Sequence, residues 1–281
     1  MRAPRGILPL LLLGLLLATG CSSGTPTGSQ APADTVTASQ PPRTATATPS
    51  PTGDRAAAFR KWGIPLLAPP PAPPAVKPVR TDDGRIPVVS DIPTDQKIVF
   101  LTFDDGAEKD PKFVQMMRDL KIPFTMFLTD DVIKSDYGYF RPLQALGNSI
   151  QDHTLTHPDL HGRTLAQQKH EICVQQQKLT AEYGTAPGLF RPPYGNYNAD
   201  TRTAMKSCGG LRAIILWRES MQIKKVQFQR PDKKFHPGDI ILAHFRGPSQ
   251  LKGESMTAMT ANLLRQVASQ GFTLARLDDY V

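Results

Sequence analysis

The sequence predicts an α/β fold built on a largely parallel sheet, either open or closed into a barrel. Residues 98–103 form a near-continuous apolar, β-branched and aromatic run, which is typical of a strand buried on both faces. From about residue 92 to residue 281, strand and helix signals alternate at the spacing of βα units, which indicates a parallel sheet. This region has the length of one domain with a sizeable core.

The elements of this region follow in order from local signals. Asp110 and Pro111 supply an N-cap and an N1 proline for the first helix, and Thr164 with Gln167 forms a capping box for a longer one. The predicted strands are 98–103, 123–128, a short strand ending at 150, 189–190, 211–217, 239–243 and 272–277. The predicted helices are 112–120, 164–183, 198–208 and 254–270.

The first twenty residues predict an export signal. Arg2 and Arg5 precede an apolar run over 7–18, which is shorter than the ~20 residues needed to span a bilayer. Residues 18–21 (Ala-Thr-Gly-Cys) resemble a bacterial lipobox, which predicts a lipoprotein signal peptide over 1–20 and acylation of Cys21. The alternative is an ordinary cleaved signal with an unrelated cysteine.

Residues 21–95 are predicted to be a lipid-anchored, disordered linker ahead of a domain over 96–281. Ser, Thr, Pro, Ala and Gly dominate the linker, so it buries too little apolar surface to offset the entropy of ordering. Its proline-rich part over 68–74 predicts a stiffer polyproline II spacer. For residues 56–67 the alternative to disorder is a short helix that docks on the domain.

Two adjacent carboxylates, Asp104 and Asp105, follow the first strand of the domain directly. Carboxylates at the end of a buried strand cost free energy unless something pairs with them. Asp-Gly is also a common turn dipeptide. Residues 81–84 likewise end in Asp-Asp-Gly, but no apolar run precedes them, so we predict only a turn there. At Asp104 and Asp105 the strand-end position favours a metal site or an acid–base site.

His153 and His157 are four residues apart in a segment rich in β-branched residues, which is not typical of a helix interior. No glutamate follows His153, so the segment lacks the helical zinc-protease signature. Two imidazoles and a carboxylate from elsewhere would form a three-ligand catalytic metal site with one open position. The other histidines lack such neighbours, apart from His244, which ends a predicted buried strand.

A further motif, Arg-Pro-Pro-Tyr-Gly over 191–195, follows another predicted strand. Arg191 can pair with a carboxylate, Tyr194 offers a ring on which a sugar can stack, and the prolines fix the backbone direction. Alone, this motif could also be a rigid turn.

Together these motifs resemble the polysaccharide deacetylases of the NodB-homology family, carbohydrate esterase family 4. The matching segments are Thr-Phe-Asp-Asp-Gly at 102–106, His153 to His157, Arg-Pro-Pro-Tyr at 191–194 and Leu-Ala-His at 242–244. The resemblance extends over residues 98–277. It implies a distorted (β/α) barrel of about seven strands, with the site at the carboxyl ends of the strands.

The resemblance also implies a metal-dependent removal of acetyl groups. Asp105, His153 and His157 would bind a divalent ion, usually zinc, with cobalt as an option. Asp104 would be the general base for a water activated by the metal, since a divalent ion can lower the pKa of water from 15.7 to about 7. Arg191 would orient the base. The other implied residues are the general acid His244 and the substrate contacts Tyr194, Leu242, Pro193 and Trp217, with Leu242 lining the pocket for the acetyl methyl.

One feature of the family is missing. Residues 216–221 (Leu-Trp-Arg-Glu-Ser-Met) lack the aspartate that normally supports the acid histidine. Glu219 is the nearest carboxylate, and on a continuing strand it would share the face of Trp217 and not that of Ser220. An unsupported His244 would be a weaker imidazolium at neutral pH. A wall-glycan-binding lipoprotein with little turnover is therefore an alternative.

The predicted substrate is N-acetylated cell-wall polysaccharide, and peptidoglycan fits a tethered lipoprotein best. Chitin-like oligomers and O-acetylated xylan are alternatives. A net charge of +8 fits a setting near anionic polymers but identifies no ligand. We expect a monomer on the outer face of the bacterial cell membrane, anchored through Cys21 within the wall, with no nucleic-acid partner.

Cys173 and Cys208 are the remaining cysteines of a chain predicted to be exported, where thiols tend to be oxidised. Both lie on predicted helices that follow consecutive strands, and such helices are neighbours in a βα barrel. The sequence allows a disulfide between them or two separate buried thiols, because the bond requires Cα atoms within roughly 7 Å.

Overall fold

The computed structural model describes residues 51–81 and 84–281. The predicted export signal, Cys21 and the first part of the predicted linker lie outside these residues, as do Asp82 and Asp83 of the predicted turn. None of the helices in the described part of the chain is both long enough and apolar enough to cross a membrane.

The described residues contain ten strands and seven α-helices. The strands are β1 Val88–Val89, β2 Ile98–Asp105, β3 Thr125–Leu128, β4 Ser149–Asp152, β5 Leu189–Phe190, β6 Ala213–Ile215, β7 Glu219–Met221, β8 Val226–Phe228, β9 Ile240–His244 and β10 Thr273–Leu274. The helices are α1 Pro51–Lys61, α2 Pro111–Leu120, α3 Asp130–Ile133, α4 Arg141–Ala145, α5 Leu165–Tyr183, α6 Ala199–Cys208 and α7 Met256–Ser269.

The strands form one curled sheet in the order β1-β6-β5-β4-β3-β2-β9-β7-β8, and β10 pairs with β2. All of these pairs are parallel except β7 with β8. The predicted α/β fold with a parallel sheet is confirmed. The prediction of about seven strands is too low, because β1, β7 and β8 are only two or three residues long and carry too little periodicity to be detected.

The sheet register brings the carboxyl ends of several strands together. Asp104 near the end of β2 lies opposite His244 of β9 on one side and Phe127 of β3 on the other. Asp152 at the end of β4 lies opposite Phe190 of β5, so that His153 and Arg191 follow at adjacent strand ends. The residues predicted to carry chemistry therefore meet at one edge of the sheet.

Gly106 fixes the turn after β2. Its φ of +94° lies in the left-handed region, and a Cβ atom there would lie 2.4 Å from Cγ2 of Ile133 and 2.9 Å from Cζ of Phe140. Only glycine fits such a position. The glycine after Asp104 and Asp105 thus lets the chain pass close beneath α3 while both carboxylates stay at the strand end.

The N-terminal limit of the packed unit differs from the predicted one. Phe59 of α1 is fully buried, and Ile64 and Leu67 join it in the main core. Trp62 donates from Nε1 to Asp119 of α2 over 2.8 Å. This stretch therefore packs with the domain, in agreement with the alternative of a docking helix over 56–67 and not with a disordered linker up to residue 95. A few large apolar side chains are enough to dock the segment, because each contributes about 1.5–3 kcal/mol when buried.

Helices α5 and α6 pack against each other, and a disulfide joins Cys173 to Cys208 with the Cα atoms 4.9 Å apart. Of the two possibilities that the sequence leaves open, the structure has the disulfide. It ties together the two helices that flank β5, the strand leading into Arg191.

Candidate active site

Asp104 is held by a buried arginine. Nη1 of Arg191 donates to Oδ1 of Asp104 over 2.6 Å and to Oγ1 of Thr102 over 2.7 Å. Nε of Arg191 donates to the carbonyl of Ile215, and Nη2 to that of Leu216. These bonds spread over the guanidinium fork, so Arg191 fixes the orientation of the carboxylate and balances its charge in the core.

Two supporting residues of this pair were not predicted. Thr102 also donates to the carbonyl of Ile241 over 2.7 Å, which locks its hydroxyl as an acceptor for Arg191. The Arg191 guanidinium lies 4.2 Å from the ring centroid of Phe127. Thr102 could have been found from the sequence, because residues two apart on a strand share a face and Thr102 is two before Asp104. Phe127 carries no such signal.

Asp105, His153 and His157 form the candidate metal group. Oδ1 of Asp105 lies 3.5 Å from Nε2 of His153 and 3.4 Å from Nε2 of His157. One ligand atom from each residue lies within 4.8 Å of the others. Oδ1 of Asp105 is buried and lacks a hydrogen-bond partner, which is costly unless a cation binds there. One carboxylate and two imidazoles with converging atoms fit a divalent ion.

The ring of His153 is oriented by the backbone. Its Nδ1 lies 2.7 Å from the carbonyl oxygen of Arg191. A carbonyl can only accept, so Nδ1 carries the hydrogen and Nε2 presents its lone pair toward Asp105. Metal-binding histidines commonly have such a partner on the other nitrogen, which supports the assignment of His153 to the metal group.

The backbone at the site is unusual. In the described part of the chain seven non-glycine residues have positive φ, and Asp105, Thr154, His157 and Tyr194 are four of them. This conformation is unfavourable for most residues and tends to persist where function requires a particular side-chain direction. Concentration of the strain at the strand ends indicates a functional site.

The residues of the metal group shift one another's pKa values. Burial acts to raise the pKa of Asp105, but the contact with His153 and the nearby histidine charges outweigh it and lower the pKa well below its usual range. Burial acts to lower the pKa of His153, yet Asp104 and Asp105 raise it overall. For His157, burial and His153 together lower the pKa. The carboxylate therefore stays ionised beside its imidazoles.

His244 lies opposite Asp104 in the register and lines a cavity of about 120 Å³. Burial is the main cause that lowers the pKa of His244; Asp104 and Asp105 oppose the shift, while Arg246 and His153 add to it. Within residues 51–81 and 84–281, no carboxylate is hydrogen bonded to His244. The missing family aspartate thus has no substitute at this ring.

Glu219 does not take the place of that aspartate. It is fully buried beside Asp239, which precedes β9, and its carboxylate lies 3.6 Å from Nη1 of Arg230. Burial and Asp239 raise the pKa of Glu219 to about 9. His244 lies at the opposite end of β9. Ser220, in contrast, pairs with Leu242, so its side chain is on the face of β9 that also carries His244.

The predicted substrate contacts surround the site to different extents. Tyr194 is 65% exposed, and its ring centroid lies 4.9 Å from that of His157. Trp217 is half-buried, 5.7 Å from the Arg191 guanidinium, and packs on Gly195. Pro193 and Leu242 are buried, so they shape the site from below. Tyr194 is the predicted contact that is open to a polymer.

This arrangement places the chain in the class of α/β enzymes that work at the carboxyl ends of their strands. A family profile described as polysaccharide deacetylase matches residues 91–212. The chain belongs to this family of hydrolases, the NodB-homology enzymes of carbohydrate esterase family 4. The family predicted from the motifs is confirmed.

Three similar proteins illustrate the family. An uncharacterized protein of Streptomyces coelicolor is 40% identical over 203 residues, which cover 71% of this chain and 80% of the relative. The peptidoglycan-N-acetylmuramic acid deacetylase PdaA of Bacillus subtilis is 27% identical over 66% of this chain and 72% of its own length. The solved structure of Bacillus subtilis PdaA, a family 4 carbohydrate esterase, has a TM-score of 0.56 at 21% identity and covers 69% of this chain and 84% of that one. This structural likeness shows the shared fold.

Proposed function

We propose that this protein removes acetyl groups from N-acetylated cell-wall polysaccharide, with peptidoglycan as the substrate. The observation that carries the proposal is the position of Asp104. Arg191 holds its Oδ1, while its Oδ2 lies 3.6 Å from Nε2 of His153 in the candidate metal group. A base fixed at this distance can act on a water molecule bound between it and the acetyl group.

The metal group would consist of Asp105, His153 and His157, with zinc as the proposed ion. When bound, such an ion would supply a Lewis acid that polarises the acetyl carbonyl and acidifies water. Because Asp104 is paired with Arg191, it stays available as a proton acceptor instead of binding the ion. The two adjacent carboxylates therefore have different roles, set by their different partners.

The proposed reaction is a hydrolysis. Asp104 accepts a proton from a water molecule while the oxygen of that water bonds to the acetyl carbon. His244, across the register from Asp104, donates a proton to the nitrogen as the carbon–nitrogen bond breaks. Acetate and a free amine are released. Tyr194, exposed beside His157, would stack against a sugar ring of the polymer.

The relatives support polysaccharide as the substrate class. Their names specify peptidoglycan-N-acetylmuramic acid in Bacillus subtilis, peptidoglycan-N-acetylglucosamine in Bacillus cereus and chitooligosaccharide in Rhizobium leguminosarum. We favour peptidoglycan because residues 1–21 predict a lipoprotein that remains next to the wall, as a monomer on the outer face of the membrane.

A second candidate is a wall-glycan-binding lipoprotein with little turnover. It is favoured by one observation, the lack of a carboxylate hydrogen bonded to His244 within the described residues, since burial then lowers the pKa of the acid. The same fold with O-acetylated xylan as substrate is a further alternative, because an ester needs less help from an acid.

The test is acetate release by the purified protein on N-acetylated peptidoglycan, chitooligosaccharides and acetylxylan, with Asp104→Asn as the inactive control. We expect zinc-dependent release from peptidoglycan. Release no greater than that of the Asp104→Asn protein on all three polymers, with peptidoglycan still bound, would favour the binding lipoprotein.

A further inference from the structure

Arg246 lies two residues after His244 and lines the same cavity of about 120 Å³. The cavity also presents the amide side chains of Gln222 and Gln250, above an apolar part that includes Leu251. Arg246 is half-buried, and its charge acts on His244, where it adds to the lowering of the pKa. A cation and the proposed acid therefore line one cavity and interact electrostatically.

This arginine differs from the other arginines around the site in its partners. Arg191 pairs with Asp104, Arg218 with Asp91 and Arg230 with Asp239. Among the residues that the structure describes, no carboxylate lies within ion-pairing distance of Arg246. Partial burial of a cation costs free energy that an anion can offset. The cavity thus contains a guanidinium that forms no ion pair with the described residues, although the carboxylate of Glu108 lies against Gly247, the next residue.

The position of His244 indicates which part of a substrate would reach this cation. The acid donates its proton to the leaving nitrogen, so the sugar carbon that carries the nitrogen lies on the His244 side of the site. A substituent on an adjacent ring carbon on that side would come near Arg246, which lines the same cavity as His244. The acetyl group, in contrast, points to the metal group and to Asp104.

We propose that Arg246 binds a carboxylate carried by the sugar ring next to the acetamido group. This inference rests on the proposed deacetylase function and defines its substrate class as N-acetylated amino sugars with a carboxylate ether on the adjacent carbon, the chemistry of N-acetylmuramic acid. Arg246 is then a specificity-determining residue. A planar guanidinium matches a carboxylate with two parallel hydrogen bonds, and the nearby Gln222 and Gln250 amides supply further donors.

The test compares two forms of one substrate. Peptidoglycan glycan strands freed of stem peptides carry the carboxylate, and amidation of the same strands with methylamine removes the charge. We expect the wild-type protein to favour the acid form in kcat/KM by about 10- to 100-fold, the range of a charge-assisted hydrogen bond. In Arg246→Gln this ratio should fall to near one, and Arg246→Lys should keep part of it.

The control is Arg118→Gln, an exposed arginine on α2, which removes the same charge and should keep the full ratio. Equal rates of the wild-type protein on the two forms would overturn the proposal, and so would an unchanged ratio in Arg246→Gln. Loss of the ratio in Arg163→Gln alone would also overturn it, because Arg163 lines the depression on the His157 side. Unfolding curves establish that each variant is folded.

Failure of the deacetylase function can be distinguished from failure of this inference. If the wild-type protein releases no acetate from either form, the function is wrong, and calorimetric binding of the two forms takes the place of kcat/KM. Tighter binding of the acid form that Arg246→Gln abolishes would support the carboxylate site. Equal binding of both forms by the wild-type protein would overturn it.

Discussion

Nη1 of Arg191 lies 2.6 Å from Oδ1 of Asp104, and both side chains are buried at the carboxyl edge of the sheet. Removing one partner of such a pair leaves an uncompensated charge in the core. We therefore expect Arg191→Ala to lower the free energy of unfolding by about 3–5 kcal/mol, measured by urea denaturation. The control is Arg218→Ala, whose partly exposed pair with Asp91 should contribute about 0–1 kcal/mol. Equal costs for both variants would contradict this role of the buried pair.

The roles of the two aspartates can be separated by metal content. Asp104 is paired with Arg191, whereas the buried Oδ1 of Asp105 faces both histidines without a hydrogen-bond partner. We expect Asp104→Asn to retain the metal but to lose turnover by at least about 100-fold, the scale of general-base catalysis. His153→Ala should lose the metal itself. Elemental analysis with acetate-release rates measures both effects. If Asp104→Asn lost the metal and Asp105→Asn kept it, the roles would be exchanged.

Much of the site could be predicted because strand ends meet at one edge of a parallel sheet. Asp104, His153, Arg191 and His244 each follow or end a detectable strand, so their convergence follows from βα alternation. The sequence cannot give the partners that depend on three-dimensional packing. That Glu219 turns toward Asp239 is visible only once β7 is known to lie beside β9.

The docking of α1 was underestimated for a similar reason. The composition of residues 51–80 is that of a disordered linker, and composition averages over the few side chains that matter. Phe59, Ile64 and Leu67 are the apolar residues behind the alternative of a docking helix over 56–67, and their burial against the domain agrees with that alternative. Short strands such as β8 depend in the same way on their neighbours in the sheet.

This docking predicts that the domain needs its N-terminal segment. We expect Phe59→Ala to lower the free energy of unfolding by about 3–5 kcal/mol, because it leaves a cavity under α1. Leu66→Ala is the matched control, since Leu66 is 47% exposed, and it should stay within about 0.5 kcal/mol of the parent. A protein limited to residues 96–281 should likewise unfold at lower urea than one over 51–281. Equal midpoints would show that α1 adds no stability.

The disulfide between Cys173 and Cys208 closes a loop with a sequence separation of 35. A bond of this span is expected to contribute roughly 2–4 kcal/mol, chiefly by restricting the unfolded chain. Cys173→Ser with Cys208→Ser should therefore unfold at lower urea than the oxidised parent, and reductant should bring the parent to the same midpoint. Thiol titration of the unfolded, unreduced protein checks the premise. Two free thiols would contradict it.

The pH dependence should reflect His244. Burial lowers its pKa below the ordinary value of about 6.5, opposed by Asp104 and Asp105 and assisted by Arg246 and His153. The acid form is lost as pH rises through this lowered pKa, so N-deacetylation should already decline below neutral pH. Cleavage of an O-acetyl ester should decline less, because an alkoxide leaves with weaker acid help than an amine. Rates on matched N- and O-acetyl substrates across pH measure the difference.

Ser220→Asp tests the cause of that dependence. Ser220 pairs with Leu242 on the face of β9 that carries His244, so a carboxylate there would restore a negative charge near the imidazole. An opposite charge raises the pKa of a histidine, and the alkaline limb of N-deacetylation should move to higher pH by about one unit. The control is Ser220→Asn, because asparagine has the size of aspartate but no charge. This variant should leave the alkaline limb in place. An unmoved limb in Ser220→Asp would mean that the decline belongs to another group than His244.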